Sequence, residues 1–326
     1  MIGVVAIGRN EGERFKKCIQ SLLKKSLNVV YVDSGSTDDS VAYAQSSGID
    51  VVELDMSIPF TAARARNAGF DFLLKKYPTL QYVQFIDGDC ELAEDWIDKA
   101  VSCFRDNDRL AVVCGRQYEK FPDASVYNQL IDMEWNTPVG EAEACGGASL
   151  MRVEMFQAVG GFNPSLICGE EPELCIRLRQ KGWKIYRIDE AMSYHDADMH
   201  QLSQWWQRMK RAGWAVAEGF SMYGKTEESY MVREYRSGWL WGLIVPVVIV
   251  GLIWPTHGLS LSLLAGYVYL TYRIYAYRRQ RGDSSHLART YAYFCTLSKF
   301  PQVQGQFKYL WTRWQRKTPT LIEYKS

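Results

Sequence analysis

The chain has 326 residues, 47% of them apolar, which is enough for one large domain with an appendage or for two domains and excludes wholesale disorder. A net charge of +1 gives no electrostatic ground for binding nucleic acid or for an acidic tail, so nucleic acid is not expected as a partner. Eight cysteines are scattered without a CxxC or regular spacing, which argues against a disulfide framework or a zinc site and for reduced, mostly buried thiols in a cytosolic domain.

The N-terminal run "MIGVVAIGRNEG" is too short for a signal sequence and lacks a basic leader, so no export is implied. Within it "GVVAIG" reads as a β-branched strand. Phe15, Cys18, Ile19, Leu22 and Leu23 then recur at helical spacing, with Lys16, Lys17, Lys24 and Lys25 outside the stripe. "NVVYVDSG" is a second strand, followed by a Ser/Asp-rich turn and the short helix "SVAYAQSSG". "DVVEL" is a third strand, "TAARARNAGFDFLLKKY" a helix, and "YVQFIDGD" a strand ending in acids. "EDWIDKAVSCF" is helical and "LAVVCG" another strand. This alternation predicts an α/β fold: a mostly parallel, Rossmann-like sheet flanked by helices, with ligands at the carboxyl ends of its strands.

From about Arg116 to Ala144 the pattern is less regular and reads as acceptor-side loops and helices. "CGGASLMRVEMFQAVGGF" then combines a glycine-rich turn with a short helix. The composition changes at Trp239. "WLWGLIVPVVIVGLIW" has no charge, "PTHG" interrupts, and "LSLSLLAGYVYLTYRIYAY" follows with Arg273 alone. A sixteen-residue helix spans about 24 Å, short of a hydrocarbon core of roughly 30 Å. Aromatic residues at the ends suit the interface, and Arg233, Arg236, Arg278, Arg279 and Arg281 flank the pair, which predicts a hairpin with both ends cytoplasmic. Spanning and re-entrant forms both fit, and a buried helical pair is the alternative. In the tail, Phe307, Leu310, Trp311 and Trp314 share a helical face near Lys308, Arg313, Arg316 and Lys317. Such a segment suits an anionic membrane surface or packing on its own catalytic domain. The expected organisation is a catalytic domain over 1–225, a linker over 226–237, the hairpin over 238–278 and the amphipathic segment over 279–326.

Three acidic clusters carry the chemistry. In "VDSGSTDDS" a strand delivers Asp33 and Ser34 to its carboxyl edge, in reach of a base or ribose; helix capping by Ser36, Thr37 or Asp38 is the other reading. In "FIDGDCE" Asp87 and Asp89 stand two apart, so both side chains are expected on one side, around Gly88. Paired hard oxygen ligands suit Mg²⁺ or Mn²⁺ bridging diphosphate oxygens. In "GEEPEL" Glu170 and Glu171 precede Pro172, which is suited to the first helical position. Acids there complement the helix dipole. In a cleft, two adjacent carboxylates would also interact, raising the pKa of one towards that of a general base. Arg66 and Asn67 on one helix suit either a pyrophosphate or a brace for the acids. His195 is a candidate third metal ligand. No GxGxxG follows the first strand, and no GxxxxGK[ST] or G-x-S-x-G occurs, so dinucleotide, P-loop and serine-hydrolase readings lack their key parts.

In order, "VVAIGRNEG", "VDSGSTDDS", "ARARNAG", "FIDGD", "CGGASLMRVEMFQAVGGF", "GEEPELCIRLRQKGW" and "SYHDAD" resemble the family 2 glycosyltransferases with a GT-A fold, over roughly residues 1 to 220. The likeness is to bacterial, membrane-associated enzymes that build exopolysaccharide or related surface glycans. It implies that Arg9, Asn10 and Glu11 border the nucleotide pocket and that Asp33 holds the base. Asp87 and Asp89 match the DxD motif, with His195 at a position that helps bind the metal. Glu170-Glu171 falls on the family's Glu-Asp pair, whose second member is the base, so Glu171 stands where the family has Asp. "QWWQRMKRAG" does not fit QxxRW, which favours single-sugar addition over processive synthesis.

The implied activity is metal-dependent, inverting transfer from a nucleotide-sugar, UDP being the commonest carrier. The acceptor is a glycan or a polyprenyl-diphosphate-linked sugar at the cytoplasmic face of a bacterial inner membrane, with membrane lipid as a further partner. A sugar nucleotidyltransferase or an inactive membrane scaffold of the same fold are the rival readings.

Overall fold

The computed structural model describes residues 1–25, 27–105, 107–317 and 319–323. Strand β1 (Ile2–Gly8) is buried at five consecutive positions, as a strand covered on both faces must be. It feeds α1 (Gly12–Leu23), which turns Phe15, Cys18, Ile19 and Leu22 into the core as their spacing predicts. The chain continues through β2 (Asn28–Asp33), α2 (Ser40–Ser46), β3 (Asp50–Glu53), α3 (Ala62–Lys76) and β4 (Tyr82–Asp87). Then come β5 (Cys90–Leu92), α4 (Trp96–Arg105), β6 (Leu110–Glu119), α5 (Val126–Trp135), β7 (Gly140–Ala142) and β8 (Ser149–Arg152). Helices α6 (Val153–Ala158) and α7 (Glu170–Gln180) lead to β9 (Lys184–His195).

The strands form one sheet in the order β3-β2-β1-β4-β8-β6-β9-β5, with β7 on β9. Its first four strands are parallel, as the alternation of strands and helices predicts. The other half is mixed. β8 runs antiparallel to β4 and β6, β6 and β9 are parallel, and β5 and β7 run antiparallel to β9. Only β7 and the end of β6 fall in the irregular stretch from Arg116 to Ala144, but β5, β7 and β8 are three or four residues long and are entered from turns or loops rather than from crossover helices.

Two consequences of register place the site. Strand order reverses around β1, opening a crevice at its carboxyl end, with Gly8 opposite Asp33 and Ile7 opposite Asp87. Farther along, His195 at the end of β9 pairs with Cys90 of β5 on one side and Glu119 of β6 on the other. Bulges between β6 and β9 around Arg116 bend the ladder before that point.

These elements make one compact unit, Met1–His200, and a helical unit begins at Gln201. The helical unit holds α8 (Leu202–Tyr223), α9 (Val232–Trp239), a π-helical segment (Leu240–Ile244) and α10 (Val245–Leu252). A 3₁₀ turn (Leu259–Leu263) follows, then α11 (Leu264–Gln280), α12 (Ser285–Leu297) and α13 (Lys299–Trp314). Helices α8 and α13 meet backbone to backbone. A Cβ added at Gly213 would lie 2.0 Å from the Gln302 carbonyl oxygen, and one at Gly305 would lie 1.9 Å from that of Lys210.

From Val232 to Leu252 the chain is one helical run of 21 residues, with an 18-residue window of mean hydropathy 1.4, long and apolar enough to cross a membrane by length and composition. The π-helical turn in it has a local cause. Pro246 lacks an N–H and its ring crowds the carbonyl four residues back, so the wider turn before it relieves the clash. Phe307, Leu310, Trp311 and Trp314 are exposed along α13, on the aromatic face the sequence predicts. The expected amphipathic segment also includes residues 318 and 324–326, which lie outside the described residues.

Candidate active site

At the carboxyl edge of β2, Asp33 is buried and shapes its own turn. Tyr31 Oη donates to Oδ1 at 2.8 Å, while the Gly35 and Ser36 N–H groups donate to Oδ2 at 2.9 and 2.8 Å. Burial and the adjacent Asp33 charge push the Tyr31 hydroxyl pKa up, so it stays a donor. Ser34 is buried, its N–H bound to the Gly8 carbonyl.

Asn10, held at φ 55°, donates its N–H to Ser36 Oγ at 3.0 Å and accepts the Thr37 N–H on Oδ1 at 2.7 Å. With Gly12 N–H bound to Asp38 Oδ2, these bonds sew the loops after β1 and β2 into one rim. Arg9 is exposed on that rim, 4.7 Å above the Phe60 ring, and Glu11 pairs with Arg14.

Arg66 is the hub of the crevice. On α3, capped by Thr61, it is only 2% exposed and donates through Nη2 to Asp87 Oδ1 at 2.8 Å and through Nη1 to Glu170 Oε1 at 2.5 Å. Burial pulls its pKa down, but Asp87 and Glu170 outweigh burial and raise it. The glycine-rich turn covers this pair. A Cβ at Gly147 would stand 3.2 Å from both Arg66 Nη2 and Asp87 Oδ2. Asn67 faces elsewhere: its side chain exchanges two hydrogen bonds with the Phe162 backbone, at 2.8 and 3.0 Å, and so anchors the loop before α7.

Asp87 and Asp89 have different partners. The strand ends at Asp87 and Gly88-Asp89 is a turn, so the two-residue period of a strand no longer applies. Asp87 goes to Arg66, whereas Asp89 Oδ2 lies 3.2 Å from His195 Nε2. The other ring nitrogen, Nδ1, lies 3.3 Å from Oε2 of Glu119, whose side chain is fully buried. Glu119 also accepts N–H groups from Phe121 and Ala197 at 3.1 Å, and Trp135 packs edge-on against the imidazole. Reading the sequence alone missed Glu119, which lies in the irregular stretch without a motif. Only its register opposite His195 reveals it.

Asp89 and His195 therefore present a carboxylate oxygen and an imidazole nitrogen to one point, with a second carboxylate orienting the ring. This donor set fits a divalent ion such as Mn²⁺ or Mg²⁺.

Helix α7 starts at Glu170, after Gly169 at φ 78°, so Pro172 occupies the third helical position rather than the first. A missing N–H is harmless there as well, since the first four have no intrahelical acceptor. Successive residues on a helix diverge by 100°, and the two glutamates part accordingly. Glu170 meets Arg66. Glu171 Oε1 accepts the Cys145 N–H at 2.5 Å and lies 3.3 Å from Cys175 Sγ.

The structure thus joins Arg66, Asp87 and Glu170 into one cluster and Asp89, His195 and Glu119 into another, while Asn67 is bound to the Phe162 backbone and Glu11 to Arg14.

The family model described as glycosyl transferase family 2 matches residues 4–160, and one described as the N-terminal domain of galactosyltransferase matches residues 131–201. The glycosyltransferase AglE of Haloferax volcanii is 23% identical over 209 residues, covering 60% of this chain and 67% of AglE. The succinoglycan biosynthesis protein ExoA of Rhizobium meliloti is 24% identical over 220 residues, covering 61% of this chain and 64% of ExoA. The chain thus spans about two thirds of the length of these curated relatives. Among solved structures, the mannosyltransferase PcManGT from Pyrobaculum calidifontis, in complex with GDP-Man and Mn²⁺, superposes with a TM-score of 0.66 at 15% identity. That match covers 96% of this chain and 87% of PcManGT, a likeness of fold.

Proposed function

Because the chain belongs to glycosyl transferase family 2, a family of glycosyltransferases with the GT-A fold, we propose that it performs inverting, single-sugar transfer from a nucleotide-sugar to an acceptor hydroxyl. The observation that carries this reading is Arg66, which ties Asp87 at the crevice edge to the helix that bears Glu171. Donor-side and acceptor-side groups are thereby held in one rigid frame.

In this reading Glu171 removes the proton from the acceptor hydroxyl. The oxygen attacks the anomeric carbon from the face opposite the diphosphate, and the bond to the diphosphate breaks with its electron pair leaving on that group. Arg66 holds Asp87 and Glu170 in place through its two ion pairs. The rim of Arg9, Asn10, Asp33 and Ser34 borders the nucleotide. Asp89 and His195 would hold Mg²⁺ or Mn²⁺, which supplies positive charge against that developing on the diphosphate. The GDP-Man and Mn²⁺ bound by PcManGT support the donor class and the ion.

UDP is proposed as the carrier and a glycan or polyprenyl-diphosphate-linked sugar as the acceptor, at the cytoplasmic face of a bacterial inner membrane. The apolar run Val232–Leu252 and the likeness to ExoA support that location. The test is a thermal-shift screen of UDP- and GDP-sugars with Mn²⁺, followed by turnover assays. A native-state ligand raises the melting temperature. Glu171→Gln should abolish transfer while keeping the donor-induced shift; full activity in that variant would exclude Glu171 as the base.

A further inference from the structure

We propose that Cys145, Cys175 and Glu171 form a second metal site, suited to a thiophilic divalent ion such as Zn²⁺, whose occupation takes Glu171 out of catalysis. The inhibitory consequence rests on Glu171 being the base. The site itself rests on geometry alone.

Cys145 Sγ and Cys175 Sγ stand 3.7 Å apart, Cys175 Sγ stands 3.3 Å from Glu171 Oε1, and the three ligand atoms all lie within 4.8 Å of one another. A tetrahedral zinc ion with Zn–S bonds of about 2.3 Å and a Zn–O bond of about 2.0 Å separates two thiolates by ~3.8 Å, and a thiolate from a carboxylate oxygen by ~3.5 Å. The Cys145–Cys175 and Cys175–Glu171 spacings lie close to those edges, and the third, Cys145 to Glu171, falls within 4.8 Å. Ser149 Oγ, 3.4 Å from Cys145 Sγ, lines the same pocket.

The arrangement follows from the fold. Glu171 and Cys175 are four apart on α7 and share a face. Cys145 precedes the glycine turn and is tied to Glu171 by its own N–H. Its sequence separation of 30 residues from Cys175 is why no zinc motif is visible in the sequence.

All three side chains are buried. Burial pushes the Cys145 thiol up, and the hydrogen bond to Cys145 together with burial pushes Cys175 up, so both are held as thiols. An entering ion inverts that preference: each thiol gives a proton to solvent, two thiolates and one carboxylate bind the ion, and no redox change occurs. Ligand softness separates this two-thiol site from the group at Asp89 and His195, where Cys90 supplies a single thiol beside a carboxylate and an imidazole. Mg²⁺ and Mn²⁺ go to the latter, Zn²⁺ and Cd²⁺ to the thiolates.

The experiment titrates the full chain, freed of metal, with Cd²⁺ alone while recording the thiolate-to-cadmium ultraviolet band and proton release. Wild type should show a two-thiolate band with two protons released. Cys145→Ser and Cys175→Ser should each lose it, whereas Cys90→Ser and His195→Ala keep it. Cys145→Ala serves as a second variant if Cys175→Ser fails to melt cooperatively. No band in wild type, or a band surviving in both cysteine variants, overturns the site.

A second arm measures transfer at saturating Mn²⁺. Zn²⁺ should inhibit wild type, and Cys145→Ser should raise the half-inhibitory concentration by about 10-fold or more. Cadmium bound at the thiolates with transfer undiminished would overturn the inhibitory role and, with it, the reading of Glu171 as base, while leaving the site in place.

Discussion

His195 Nδ1 lies 3.3 Å from Glu119 Oε2, and its Nε2 lies 3.2 Å from Asp89 Oδ2, so one imidazole is gripped by two buried carboxylates. Glu119 acts through His195. It orients the ring and would leave Nε2 for the ion proposed at Asp89 and His195. Glu119→Gln is expected to weaken Mn²⁺ binding about 10- to 100-fold. Electron paramagnetic resonance of free Mn²⁺ measures this without turnover, and excess Mn²⁺ should restore transfer. An unchanged Mn²⁺ affinity would reduce Glu119 to a loop anchor.

Arg66 neutralises two carboxylates inside the protein. Removing it takes away the counter-charge that Asp87 and Glu170 share, so Arg66→Ala should cost about 3–5 kcal/mol of stability in urea unfolding. Asp87 is partly exposed and regains some hydration, which places the expectation at the lower end.

Asn67 makes a contrasting case. Its amide serves the Phe162 backbone, so Asn67→Ala should lower stability by about 1–3 kcal/mol. The KM for the nucleotide-sugar should stay close to wild type. A large rise in KM at unchanged stability would return Asn67 to the pyrophosphate.

In the helical unit, burial raises the Glu218 pKa to about 7 against an ordinary 4.5, with Trp214 Nε1–H and Arg313 opposing. The folded state therefore holds a proton that the unfolded chain releases, and the stabilisation is complete below about pH 4.5 and lost as pH rises through about 7. Melting temperature should fall across that window, and Glu218→Gln should flatten the slope. Equal slopes in the two proteins would rule out Glu218 as the titrating group.

Gly305→Ala places a methyl where the Lys210 carbonyl oxygen already stands, so α8 and α13 must separate. An overpacking cost of about 1–3 kcal/mol is expected, measurable in chemical unfolding. Gly251→Ala, where an added Cβ meets nothing within 4 Å, is the control and should be silent.

The parallel half of the sheet was legible because each of its elements shows its own period, 2 for strands and 3.6 for helices, in a contiguous stretch. Asp33 and Asp87 were legible for the same reason, since an acid closing an apolar run must stand at a strand's carboxyl edge. The antiparallel half was not, because β5, β7 and β8 are three or four residues long and too short to show a period.

By itself, the sequence determined the family and the strand ends that carry Asp33 and Asp87, whereas Asp89 proved to lie in a turn and α7 to begin two residues before Pro172. The family and those strand ends are properties of local runs and of the order of motifs. Which of these groups meet was decided only by the tertiary structure. Arg66 reaches Glu170 across 104 positions, His195 reaches Glu119 across 76, and Cys145 reaches Cys175 across 30. The physical reason is that strand register and helix phase set partners over such separations, and a single chain of residues carries no local signal of either.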